Sequence, residues 1–115
     1  MYRNTDNWTL HADVYGTADR FEVFVEVPGI DREEIELEVT PFAVRIQGVK
    51  TTPGQGATAL AIEIQTGMFQ KEIHLPSRVD TASVSADLKS GVLHITLVRQ
   101  KPVRVSIPVQ SQESL

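Results

Sequence analysis

No cysteine occurs anywhere in the 115 residues, which removes disulfide staples, thiolate nucleophiles and cysteine-based zinc sites together. Packing alone must hold the fold. Long apolar runs are missing as well: no stretch approaches the ~18 residues a membrane-spanning helix needs. The start, Met1-Tyr2-Arg3-Asn4-Thr5-Asp6-Asn7-Trp8, holds no apolar segment that could act as a secretory signal. The expected location is cytoplasmic, with no membrane partner, which makes the Asn7-Trp8-Thr9 sequon accidental. Basic residues number 11 against 15 acidic ones, for a formal net charge of −4. They are scattered, so no nucleic-acid partner is expected, because phosphate neutralisation needs a clustered basic surface. One Trp, two Tyr and four Phe offer little for a sugar-stacking platform.

Chemistry-bearing clusters are also scarce. His11, His74 and His94 each stand alone on a predicted strand without an acid at ligand spacing, which reads as structural or solvent-facing rather than metal-binding. Pro53-Gly54-Gln55-Gly56-Ala57-Thr58 is glycine-rich but lacks the Lys-Ser/Thr of a phosphate-binding loop and opens no helix. Ser77, Ser83, Ser85, Ser90 and Ser106 have no Gly-x-Ser-x-Gly context to expose a nucleophile. Glu33, Glu34, Glu36 and Glu38 could form an acidic recognition patch, but alternation makes Glu36 and Glu38 the wet face of a strand. No enzyme, metal or cofactor is expected.

What remains is an ordinary globular composition, 41% hydrophobic and 23% charged, of a length that suits one domain. Strand signals recur throughout as period-two alternation cut by Pro, Gly and Asp. Phe21, Val23, Val25 and Val27 share one face of a strand that stops at Pro28-Gly29, with Glu22, Phe24 and Glu26 on the other. Phe24 implies that this second face is partly covered. Asp31-Arg32-Glu33-Glu34 could open one helical turn, capped by Asp31. Ile35, Leu37 and Val39 then alternate as a strand, and Val44 and Ile46 mark a second one that ends at Gly48.

From 49 to about 59 the chain is a long loop with little to bury, and such a loop inside a compact domain needs a purpose. Leu60-Ala61-Ile62-Glu63-Ile64 could be an edge strand awaiting a partner. Phe69, Ile73 and Leu75 share a face with Lys71, which is either an ion-pair partner or a lysine that snorkels to water. Val84, Ala86 and Leu88 share another, and Leu93, Ile95 and Leu97 follow after Ser90-Gly91 in the best-defined hairpin. About seven short strands with turns between them describe an all-β, immunoglobulin-like two-sheet sandwich.

Several landmarks resemble the alpha-crystallin domain of small heat shock proteins of bacterial type, in the right order over nearly the whole chain. Val27-Pro28-Gly29-Ile30 resembles the family's Leu-Pro-Gly-Val, and Ile46-Gln47-Gly48 its Ile-x-Gly. Gly67-Met68-Phe69 through Leu75-Pro76 resembles its Gly-x-Phe…Leu-Pro strand. Ala86-Asp87-Leu88-Lys89-Ser90-Gly91-Val92-Leu93 carries its hallmark Gly-Val-Leu, and Ile107-Pro108-Val109 resembles its Ile-x-Ile/Val tail motif. Each tripeptide alone is weak, and the ordered set is specific.

The resemblance implies a short N-terminal arm at 1–9, a domain at 10–99 and a tail at 100–115. It implies that the long loop, with Leu60, Ile62, Glu63 and Ile64, crosses to a second copy and adds a strand to an edge formed by 8–15, giving a homodimer. Ile107 and Val109 would dock in a groove lined by Ile35, Leu37, Val39, Val84, Ala86 and Leu88. The expected function is an ATP-independent holdase that binds partly unfolded client proteins and prevents their aggregation under stress. An adaptor sandwich that docks on an ATP-driven chaperone is the alternative. Two departures bear on assembly. The family's long arm is reduced here to about seven residues, which favours dimers or small oligomers. Ile64 also follows Glu63 where many relatives carry an arginine.

Overall fold

The computed structural model describes residues 8–54, 56–101 and 104–112. Eight strands form two four-stranded sheets: β1 (Trp8–Thr9), β2 (Ala12–Gly16), β3 (Arg20–Glu26), β4 (Ile35–Thr40), β5 (Ala43–Lys50), β6 (Gly67–His74), β7 (Val79–Lys89) and β8 (Val92–Arg99). One sheet runs β1-β6-β5-β4 and the other β2-β3-β8-β7. All pairs are antiparallel except β1 with β6.

Alternation explains which faces meet. Phe21, Val23 and Val25 on β3, Val44 and Ile46 on β5, Phe69 and Ile73 on β6, and Leu93, Ile95 and Leu97 on β8 are all buried. The residues between them face outward, so the two sheets close on an apolar layer. No polar or charged residue among the described ones is buried. Phe24, on the outer face of β3, is covered by its own neighbours: the His94 ring stacks on it at 4.4 Å and Tyr15 meets it edge-on at 5.8 Å. Cross-strand packing of this kind stabilises a sheet face that no second sheet covers.

Two close approaches set the geometry. Gly48 sits between Ile35 and Phe69 in the sheet. A methyl added there would collide with the Glu34 carbonyl oxygen and lie 2.6 Å from Phe69 Cζ. The second is the β7–β8 turn, where Lys89 pairs with Val92 across Ser90 and Gly91, both left-handed at φ 52° and 76°. Two consecutive positive φ values are what a two-residue hairpin turn of the strand-matching hand demands. The Gly91 carbonyl then accepts from the Val27 N–H at 2.8 Å, tying the hairpin to the end of β3.

Several expectations need correction. Residues 8–15 are not one edge strand: β1 lies in one sheet and β2 in the other, with buried Leu10 at the crossing. Residues 8–15 thus supply an edge to each sheet, the two-residue β1 to one and the five-residue β2 to the other. The second hairpin strand continues past Gly48 to Lys50, because its pairing with β6 runs on through Gly48↔Phe69 to Lys50↔Gly67. The turn at Arg32–Glu34 and the strand from Ile35 both form, as a 3-10 turn leading directly into β4.

Replacing Gly48 by Ala is expected to lower unfolding stability by about 1–3 kcal/mol, since the backbone carbonyl cannot yield as a side chain can. Urea unfolding midpoints measure this. An unchanged midpoint contradicts the close packing of the 3-10 turn on β5.

Candidate functional site

The candidate site consists of unsatisfied apolar and backbone surfaces rather than a catalytic constellation. β4 and β7 are the edges of the two sheets on one side of the sandwich. The predicted groove would lie between them. Ile35, Leu37, Val39, Val84 and Leu88 are each half-buried and pack against the core from its rim. Ala86, in register between Val84 and Leu88, is exposed. Five of the six predicted groove residues thus pack half-buried along the two edge strands, and Ala86 faces solvent.

The tail does not fill this groove in its own chain. Ile107 is 75% exposed and Val109 95% exposed, and the described tail has no regular structure on either side of Pro108. The predicted arm at 1–9 lies, apart from Trp8 and Thr9, outside the described residues.

The loop that leaves β5 and returns at β6 is equally unsatisfied. Residues 60–64 form no strand within the chain, with Leu60 92% and Ile64 70% exposed and Ile62 half-buried. Glu63, between them, is exposed. Between this loop and the body lies an open cavity of about 630 Å³, lined by Gly29, Glu34, Lys50, Ile62 and Ile64 among others. In the other sheet, β2 pairs with β3 on one side and presents a free edge on the other. The hallmark Gly91-Val92-Leu93 is structural: Gly91 makes the turn, Val92 is half-buried and Leu93 enters the core.

The root of the loop carries a feature that sequence reasoning missed. Glu34 Oε1 accepts from the Asp31 N–H at 2.8 Å, and Oε2 accepts from the Thr51 N–H at 3.1 Å and the Thr51 hydroxyl at 3.3 Å. The backbone bond from Asp31, then the one from Thr51, hold the Glu34 carboxyl below its ordinary value of 4.5, with the Thr51 hydroxyl and Lys50 acting in the same direction. The Asp31 contact follows helix-start spacing and was visible as such. Nothing in the sequence announces Thr51 as a partner.

The other charged groups stay separate. His11 is exposed, His74 lies 3.6 Å from Glu72 at the surface, and His94 approaches Glu22 at 3.3 Å while stacked on Phe24. No metal-binding group of side chains occurs among the described residues. Glu36 and Glu38 are exposed, and Glu36 accepts from Gln47 at 3.1 Å, so the acidic run is a solvated strand face. Lys71 is half-buried on the inner side of β6 and makes no ion pair among the described residues. No helix among the described residues is long and apolar enough to cross a membrane.

Comparison with known proteins agrees with this architecture. The model of the Hsp20/alpha crystallin family matches residues 4–111. A 22.0 kDa heat shock protein of Arabidopsis thaliana is 33% identical over 95 residues, 80% of this chain, which spans about half (49%) of that relative's length. A probable 15 kDa heat shock protein of Leptospira interrogans is 24% identical over 100 residues, 87% of this chain and 77% of that protein. Among solved structures, heat shock protein 16.0 from Schizosaccharomyces pombe superposes with a TM-score of 0.74 at 20% identity, covering 92% of this chain and all of that one (100%). A small heat-shock protein from Xylella fastidiosa does so at 0.70 and 25% identity, covering 90% and 100%.

The depressed Glu34 carboxyl has a definite pH signature. Its folded pKa lies below the unfolded value, so the stability it contributes is complete above about pH 4.5 and is lost as pH falls through the folded value. The stability difference between wild type and Glu34→Gln should therefore be constant from pH 7 down to that point and shrink below it. Urea titrations across that range test this, and a difference that grows on acidification would contradict it.

Proposed function

The chain belongs to the Hsp20/alpha crystallin family, and on that premise we propose that it is a stress chaperone acting as an ATP-independent holdase. It binds partly unfolded client proteins and keeps their exposed apolar surface from associating. The observation that supports this reading is the coexistence, in one chain, of a half-buried apolar rim on edge strands β4 and β7 and an exposed Ile107-Pro108-Val109 tail. Each surface is unfavourable in water alone, and each is complementary to the other or to an unfolded client.

The tail of one copy docks in the groove of another, with Pro108 restricting the backbone between two apolar anchors. Burial of Ile and Val is worth about 1.5–3 kcal/mol each, reduced by ordering of the linker. Such contacts are weak enough to open and expose the groove to clients. Capture through buried apolar area requires no catalytic group and discriminates little among clients.

The dimer forms by exchange of the 51–66 loop, whose 60–64 segment adds a strand to β2 of a second copy. Support comes from the two halves that remain unpaired within one chain: the free outer edge of β2 and an alternating segment without a neighbour. Leu60, Ile62 and Ile64 would lie on one face of the added strand and Glu63 on the other. The protein works in the cytoplasm, and its partners are itself and its clients.

Two measurements test the proposal. A heat-aggregating client mixed with the protein without ATP should scatter less light near stoichiometric ratios, whereas unaffected scattering sinks the holdase reading. Ile107→Ala combined with Val109→Ala should remove assemblies larger than the dimer in in-line light scattering while leaving the dimer intact. An unchanged mass distribution would mean that the tail does not dock.

A further inference from the structure

We propose that Glu34 is the positioning residue that fixes the direction in which the 51–66 loop leaves the sandwich, and thereby sets the affinity of the dimer. The inference rests on the exchanged-loop reading and adds to it a residue outside both the loop and the receiving edge.

The 3-10 turn lies in close contact with β5 at Gly48. Because position 48 is glycine, the Glu34 backbone can lie against the strand, over the Ile35↔Gly48 pair. From there its side chain runs along β5 and reaches Thr51, the first residue beyond the strand and 17 positions away in sequence. One carboxylate then accepts from two backbone amides that belong to different segments, Asp31 before the turn and Thr51 at the loop root. An ionised acceptor bridging two N–H groups is a strong and directional tether.

Beyond this tether the loop is on its own. Among the described residues, no backbone hydrogen bond joins 52–66 to the sandwich. Lys50 also braces the root, donating to the Pro28 carbonyl at 3.0 Å and lying 5.7 Å over the Trp8 ring. On the β5 side Thr51 is therefore the last point at which the sandwich dictates backbone direction before the chain rejoins it at Gly67, and Glu34 supplies that dictation. A strand presented from a fixed root has a higher effective concentration at its acceptor edge than one swinging from a free root. Freeing the backbone of roughly one residue weakens such pairing by about tenfold.

Glu34→Ala removes both acceptors, and Glu34→Gln keeps one carbonyl oxygen able to serve a single amide. The dimer dissociation constant is measured by sedimentation at pH 7, and exchange of the Thr51 amide by mass spectrometry or NMR. Thermal unfolding is followed at concentrations where every variant is monomeric. The expected result is a dimer weakened about tenfold by Glu34→Ala and less by Glu34→Gln, with faster Thr51 exchange in the same order and a fall in the monomer unfolding midpoint too small to account for the weakened dimer. If the wild type is a dimer and both variants match its dissociation constant, the inference is overturned and loop exchange stands. Dimer weakening that merely tracks a fall in the monomer midpoint also overturns it, because Glu34 would then act on the fold and not on the loop. A monomeric wild type removes the exchanged dimer itself, and the inference with it.

Discussion

Open sheet edges are the constraint from which the rest of this structure follows. A sandwich of two four-stranded sheets has four edge strands, here β1, β2, β4 and β7. Each presents unpaired backbone groups or an apolar rim that water does not satisfy well. On one side of the sandwich the chain bridges its own edges: after β1 it passes through buried Leu10 and enters the other sheet as β2. On the other side β4 and β7 are joined only at one end among the described residues, where the Val79 N–H donates to the Pro41 carbonyl at 2.9 Å, and their rim residues stay half-exposed. The same chain carries two segments, 60–64 and 107–109, that belong to no strand and expose Leu60, Ile64, Ile107 and Val109. A fold completed only by other chains is the physical basis of the proposed self-assembly and client capture.

The core makes such incompleteness tolerable. Buried residues on β3, β5, β6 and β8 occupy the central strands of both sheets, away from the open rim. Stability therefore resides where no partner is needed, and the edges can exchange partners without unfolding the centre. Gly48 and Glu34 join these two zones. The absence of a side chain at one position lets the other lie close enough to hold the loop root.

The sequence made the strands and their inward faces readable because alternation of apolar and polar residues follows directly from the two-residue period of a strand. The Ser90-Gly91 turn was readable for a similar local reason, since few residue pairs accept two positive φ values. The split at 8–16 was not. Trp8, Leu10, Ala12 and Val14 alternate without interruption, so a chain that changes sheets at Leu10 looks like one continuous strand. The end of β5 was misread at Gly48 because the glycine there serves close packing against the 3-10 turn, which no local pattern encodes. The groove residues could be placed only by their resemblance to a family. The Glu34 to Thr51 contact bridges segments far apart in sequence, and periodicity carries no information about such pairs.

The central claim is that specific edges of the sandwich are completed by other copies of the chain. Amide hydrogen exchange at a series of protein concentrations tests it most directly. The account predicts that amides in 12–16 and 60–64 become protected together as concentration rises, while those of β3 and β8 are protected throughout. Exchange at 12–16 and 60–64 that stays fast and independent of concentration, up to the highest soluble concentration, would contradict it.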